Sequence, residues 1–148
     1  MKLTAFTDYS LRVLIYLAAE PGRRATIAGI AQAFGVSEHH LTKVVHFLGK
    51  EGWLATTRGK GGGLGLALAP EAIVVGRVVR ATEGAAVPTE CFGDTPDHCS
   101  IARICRLRGV LRQAVDAFYT VLDDFTLADL VHNRSALARV LQITPVAA

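Results

Sequence analysis

Cys91, Cys99 and Cys105 are the only cysteines in this 148-residue chain, and they fall within one short stretch, CFGDTPDHCSIARIC. Seven residues separate the first pair and five the second. Their surroundings are polar, with Asp94, Pro96, Asp97 and His98 close by. Three incidental thiols are one explanation, because free cysteine commonly sits buried as a small hydrophobe. Clustering in one polar loop argues instead for metal or redox chemistry. Structural zinc asks for a short CxxC knuckle and a fourth Cys or His at similar spacing. The nearby His98 adjoins Cys99, a poor geometry for two ligands on one ion. Longer gaps suit a larger object such as an iron–sulfur cluster, held by thiolates. Three thiolates then leave one iron of a four-iron cluster in need of another ligand. Cys–His nucleophilic catalysis finds no orienting third group, so the chain does not read as an enzyme.

Composition bounds the setting of this loop. A hydrophobic content of 51% is enough to fill a core without staples. The first apolar run is broken by Asp8 and Arg12, and no cleavage site follows it. The most apolar stretch, 64–79, is interrupted by Pro70, Glu71, Gly76 and Arg77, so no membrane span is expected. A cytoplasmic location is therefore expected, and there thiols stay reduced. The net charge of +3 is unevenly placed. Residues 1–68 carry eight Lys/Arg against four acids, and the remainder eight against nine. Positive charge confined to the N-terminal half points to a polyanion partner.

Helices dominate the pattern that must position the loop. Thr7 is placed to cap a helix running to about Glu20, with Leu11, Leu14, Ile15 and Ala18 on one buried face. Pro21-Gly22 ends it. Thr26 caps a short helix, Ile27 to Phe34, closed by Gly35, and Ser37 caps a third running to about Glu51. Two short helices joined by a tight Gly-containing turn form a helix-turn-helix pattern. On the third helix Leu41, Val44, Val45 and Leu48 share one face, while His39, Lys43, His46 and Lys50 form an acid-free stripe opposite. Such a stripe supplies the donors and charge that a helix seated in a DNA major groove needs. A solvated helix face would look the same in isolation. The segment after this helix favours the groove. Residues 53–57 read as a strand, Leu64, Leu66 and Leu68 alternate as a second, and the tip between them is Arg58-Gly59-Lys60-Gly61-Gly62-Gly63. Glycine lets backbone approach phosphate, and Arg58 and Lys60 supply charge. The tip lacks the GKS/T ending of a P-loop and joins strand to strand, so a nucleotide site is not expected.

Beyond Pro70 a helix spans about Val75 to Thr82, and a loop holding Cys91 comes after it. From about Ser100 a helical pattern resumes, with Leu107, Leu111, Ala114, Phe118, Val121 and Phe125 spaced as a coiled-coil seam. The N-terminal half is compact already, so this seam is expected to pair across a dimer. Thr126 and Ser135 read as caps of two short C-terminal helices. The expected fold is mostly α with a small β-hairpin wing: a winged helix-turn-helix plus a long dimerisation helix. Its units are a DNA-binding domain at 1–84, a cluster-binding loop at 85–105, and a dimerisation helix with C-terminal helices at 106–148. Ser37, His39, His40, Thr42, Lys43, His46, Lys50, Arg58 and Lys60 are its candidate contacts to double-stranded promoter DNA.

The opening MKLTAFTDYSLRVLIYLA, the segment IAGIAQAFGVSEHHLTKVVHFLGKEGW, the wing RGKGGGLGLAL, the VVRATEG helix end and the three-cysteine loop together carry a resemblance. It is to the bacterial winged-helix iron–sulfur regulators of the NsrR and IscR types. The likeness runs from residue 1 to about 125. Its details resemble the nitric-oxide-sensing NsrR type. The IscR type has a histidine three residues beyond its last cysteine, where this chain has Arg108. The seven-residue first gap makes the loop slightly longer than in some relatives of the type.

The resemblance implies a homodimeric repressor whose cluster, [4Fe-4S] in preference to [2Fe-2S], is held by Cys91, Cys99, Cys105 and Asp8 of the partner subunit. It further implies that nitric oxide attacks the cluster and thereby releases DNA. Read without the resemblance, Asp8 is an acid favourably placed in the first turn of a helix. Arg12, one turn on, and Glu83 are candidates to support the cluster ligands. The competing readings are a cluster regulator that senses iron, oxygen or redox state, a zinc-stabilised DNA-binding module, and a small electron carrier. The last leaves the basic wing unexplained.

Overall fold

The computed structural model describes residues 2–84, 100, 101 and 104–143. Cys91, Cys99 and most of the 85–105 loop therefore lie outside the described residues. Helix α1, Ala5–Ala19, runs through the middle of the subunit and touches α2 (Ile27–Phe34), α3 (Glu38–Lys50), α4 (Val75–Glu83), α6 (Leu127–Leu130) and α7 (Arg134–Val140). Its cap is Thr4 and not the expected Thr7: the Thr4 hydroxyl accepts a 3.2 Å bond from the Thr7 amide. The helix starts one turn earlier because Thr4 can satisfy that free amide. Thr7 is left inside, its side chain fully buried. Val13, Leu14, Leu17 and Ala18 are the buried apolar centre of α1, whereas Leu11 and Ile15 are only half-buried. A helix packed on several sides buries a broader and rotated stripe than the expected i, i+3, i+4 face.

The helix-turn-helix matches the expected chemistry closely. Thr26 caps α2 through a 3.0 Å bond from the Gly29 amide, and Gly35 closes it at φ +63° in the left-handed region. Leu41, Val44, Val45 and Leu48 of α3 are all buried. Ser37 occupies the cap position of α3, but its side chain makes no capping bond. Strands β1, Leu54–Thr57, and β2, Gly63–Leu66, pair antiparallel with Leu54 opposite Leu66 and Thr57 opposite Gly63. Leu68 lies beyond β2 and is exposed. A third partner has no counterpart in the sequence pattern: Ala25 exchanges two backbone bonds with Leu64, of 3.0 and 2.8 Å. Gly63 permits this approach, since a Cβ there would sit 2.7 Å from the Ala25 carbonyl oxygen.

After a 3₁₀ turn at Pro70–Ala72, α4 is followed by α5, Arg106–Asp123. Helix α5 begins at Arg106 and not near Ser100. Before it, the Ile104 amide bonds the Ile101 carbonyl at 3.0 Å. None of the α5 residues is buried in the subunit. Of the seam, Leu107, Val121 and Phe125 are 61, 57 and 46% exposed, Leu111 and Phe118 are half-buried, and none is fully covered among the described residues. Thr126 and Asp129 form a capping box at α6, as the Thr126 expectation required. Helix α7 is preceded by Asn133, and Ser135 lies within its first turn. Leu127, Val131, Leu141 and Ile143 then return to the same core as α1.

Leu14 is wholly enclosed at the crossing point of these helices. Leu14→Ala is expected to cost about 3 to 4 kcal/mol of unfolding free energy, measured by urea denaturation.

Candidate functional site

The outward face of α3 presents Ser37, His39, His40, Thr42, Lys43, His46 and Lys50 to solvent. The buried leucines and valines behind them fix which way this face points. Two of the candidates have local partners. The Thr42 hydroxyl donates to the Glu38 carbonyl at 2.8 Å. The His40 ring stacks on Tyr9 of α1 with centroids 6.2 Å apart. Phe6 and Phe47 make a second bridge between these helices, edge to face at 5.3 Å. At the wing, Arg58 and Lys60 are exposed, and Lys60 stands between glycines with positive φ, Gly59 at +95° and Gly61 at +79°. A Cβ on Gly62 would lie 2.2 Å from the Thr57 carbonyl oxygen, so the tip turns too tightly for a side chain there.

The second candidate region is the start of α1. Asp8 is held by Arg12 one turn on, Nε to Oδ1 at 3.0 Å and Nη2 to Oδ2 at 2.9 Å. Both side chains remain over 40% exposed. Lys2, Leu3, Thr4, Ala5, Asp8 and Tyr9 line an open groove beside this carboxylate. The Arg12 guanidinium also lies over the Phe34 ring, 5.7 Å from its centroid.

Glu83 engages other groups. Its Oε1 accepts from the Thr4 amide at 2.8 Å, from the Thr4 hydroxyl at 3.1 Å and from the Thr7 hydroxyl. The Thr7 hydroxyl also contacts Thr82 Oγ1 at 2.9 Å. This fastening of α4 onto the cap of α1 is not apparent from the sequence. The one available signal is that Thr7 shares a helix face with buried residues, and its competence as a cap masks that signal. Partial burial pushes the Glu83 carboxyl up, but the bonds from Thr7 and Thr4 outweigh it and hold the group below the usual carboxylate range.

Of the thiols, Cys105 is described: it is half-buried, free, and stands at the N-terminal boundary of α5 with no capping bond. Among the described residues no three His, Cys, Asp or Glu side chains gather closely enough to hold a metal. An uncommitted thiol and an accessible carboxylate are nevertheless suitable donors for iron: soft sulfur of the kind that binds iron–sulfur clusters, and a harder oxygen. The donor types fit such a cluster.

An apolar-backed helix with an acid-free basic stripe, set beside a glycine-and-base hairpin, defines a winged-helix regulator and not an enzyme. The chain belongs to the Rrf2 family, described as iron-dependent transcriptional regulators, which matches residues 3–133. The HTH-type transcriptional regulator NsrR of Bacillus subtilis is 46% identical over 144 residues, covering 97% of this chain and 99% of that relative. Among solved structures, CymR, the global cysteine regulator of B. subtilis, superposes with a TM-score of 0.72 at 31% identity, covering 90% of this chain and 98% of the other. IscR of T. potens gives 0.73 at 26% identity, covering 90% and 88%.

The depressed Glu83 carboxyl has a defined pH consequence. Its contribution to stability is complete above the ordinary carboxylate range and is lost as pH falls through its lower folded value. Glu83→Gln is expected to cost roughly 1 to 2 kcal/mol at neutral pH, since hydrogen bonds to a charged acceptor are lost. Urea melts as a function of pH should show that deficit closing in acid.

Proposed function

We propose that this protein is a homodimeric repressor which holds an iron–sulfur cluster through Cys91, Cys99, Cys105 and Asp8 of the partner subunit, and which responds to nitric oxide. The observation that carries the reading is the position of Asp8. It is exposed beside an open groove, and the next residue, Tyr9, stacks on His40 of the recognition helix. A bond made at Asp8 therefore acts one residue away from the DNA-reading surface. The relatives named NsrR support the choice of signal. The likeness to the NsrR type is the ground for preferring [4Fe-4S] to [2Fe-2S], and a regulator of transcription operates in the cytoplasm.

The cluster would supply iron sites able to react with nitric oxide. The rest of the mechanism belongs to the protein. With Asp8 engaged across the dimer, the start of α1 is tied to the other subunit, and Tyr9 and Phe6 hold α3 in register with it. The two α3 helices are then separated by a fixed distance, as reading two half-sites one helical turn or a multiple apart demands. With Asp8 held by Arg12 alone, that separation is no longer enforced. His39, Lys43, His46 and Lys50 face the major groove, with Ser37, His40 and Thr42 beside them, and Arg58 and Lys60 meet phosphate. Arg12 orients Asp8, and Glu83 secures the turn from which Asp8 projects. A second reading, a cluster regulator that senses iron, oxygen or redox state, is favoured by the family description as iron-dependent.

Protein purified without oxygen should show visible iron–sulfur absorption, and nitric oxide titration should abolish its binding to a palindromic promoter fragment. Colourless protein that binds equally well with and without nitric oxide would refute the proposal. Response to iron limitation or oxygen, but not to nitric oxide, would select the second reading. Asp8→Ala should alter the cluster spectrum and its stability while leaving thermal unfolding of the apoprotein close to wild type. Lys43→Ala should weaken DNA binding across all sequences and reduce the salt dependence by about one counterion per subunit, read by fluorescence anisotropy.

A further inference from the structure

Among the described residues, α5 rests chiefly against α4. No α5 residue is buried, and the seam residues Leu107 and Val121, together with Val110 outside the seam, are exposed. The helix is instead gripped near its C-terminal end. Asp123 receives both terminal nitrogens of Arg80 from α4, each at 2.6 Å. The same guanidinium lies over the Tyr119 ring, 4.3 Å from its centroid. Asp123 presses against the start of α4 at Gly76, where an added Cβ would lie 2.0 Å from Asp123 Oδ1 and 3.1 Å from its amide nitrogen. Just beyond, the Val75 amide bonds the Phe125 carbonyl at 2.9 Å and the Leu127 amide bonds the Ile73 carbonyl at 2.8 Å.

We infer that Arg80 and Asp123, with Tyr119 beneath and Gly76 making room, are positioning residues that set the angle at which the dimerisation helix leaves the DNA-binding half, and hence the operator spacing that the dimer accepts. The inference rests on the dimer proposed above. A planar guanidinium engaged by two carboxylate oxygens and a ring face has one geometry, unlike a single-point contact. An exposed ion pair ordinarily adds little to stability. Its effect here is directional, because among the described residues the apolar side chains of α5 are at most half-buried and none locks the helix in place. Each subunit repeats the same joint, so an error in angle is doubled between the two recognition helices. Helix α4 is also fastened to α1 by Glu83, so the joint and the groove beside Asp8 share one rigid strut.

The test measures binding of wild type, Arg80→Ala, Asp123→Ala, Gly76→Ala and the charge-exchanged Arg80→Asp/Asp123→Arg protein. The DNA panel consists of palindromes whose half-sites are moved by one or two base pairs, together with a fragment carrying a single half-site. The single-residue variants should lose roughly tenfold of the wild-type preference among spacings. Their affinity for the single half-site should remain unchanged, and their dimerisation should persist by sedimentation. The exchanged pair should recover part of the preference. Variants that keep the wild-type spacing preference would overturn the inference, whatever their melting temperatures. Equal losses on every DNA, single half-site included, would also overturn it, because they report a general defect. A wild type that is monomeric or indifferent to spacing would remove the dimer reading and this inference together.

Discussion

Burial of α1 on nearly all sides constrains every other part of the subunit. Val13, Leu14, Leu17 and Ala18 have no exposure to speak of, and they are enclosed by the helix-turn-helix on one side and by α4, α6 and α7 on others. A helix so placed cannot rotate or slide without repacking several neighbours, because a close-packed interior transmits displacement without absorbing it. One side of its first turn, however, faces solvent and carries Asp8. The subunit thus offers one accessible handle on an otherwise immobilised shaft. Whatever binds that handle is mechanically joined to α3 through Phe6 and Tyr9.

The parts legible from sequence are those whose signal is local and repeated. The α3 face is readable because Leu41, Val44, Val45 and Leu48 recur at helical spacing with His and Lys between them. The wing is readable because six consecutive tip residues are glycine or base. Where one residue can serve two purposes, local reading misleads. Thr4 and Thr7 are both competent caps, and only the packing of α4 decides that Thr4 caps while Thr7 is buried. The single pairing of Ala25 with Leu64 is too short to leave any periodic trace. Nor does periodicity say where Leu127, Val131, Leu141 and Ile143 will dock. Their common core with α1 joins opposite ends of the chain.

The proposed cluster site divides along the same line. The cysteine types and their grouping are plain in the sequence, and Cys105 stands free at the head of α5. The link of Asp8 to Arg12 is a one-turn pair that helix geometry anticipates. The partnership of Glu83 with Thr4 and Thr7 spans more than seventy positions and has no sequence signature. The relation between Asp8 and the thiols is harder still, since in the proposed dimer it crosses from one chain to the other. No pattern within a single sequence encodes such a relation.

The stitch between Ala25 and Leu64 has a consequence for how operator preference can change. It anchors β2 of the hairpin, one residue from the tip, to the segment that leads directly into α2, so strands and helices of this half are joined by backbone bonds. Only the tip from Arg58 to Gly62 projects beyond the paired residues. That tip makes no contribution to the buried core, and lengthening or recharging it leaves the stitch untouched. Variation in this family member can therefore accumulate at the tip, adjusting the proposed grip on the DNA backbone, while the orientation of α3 is inherited unaltered.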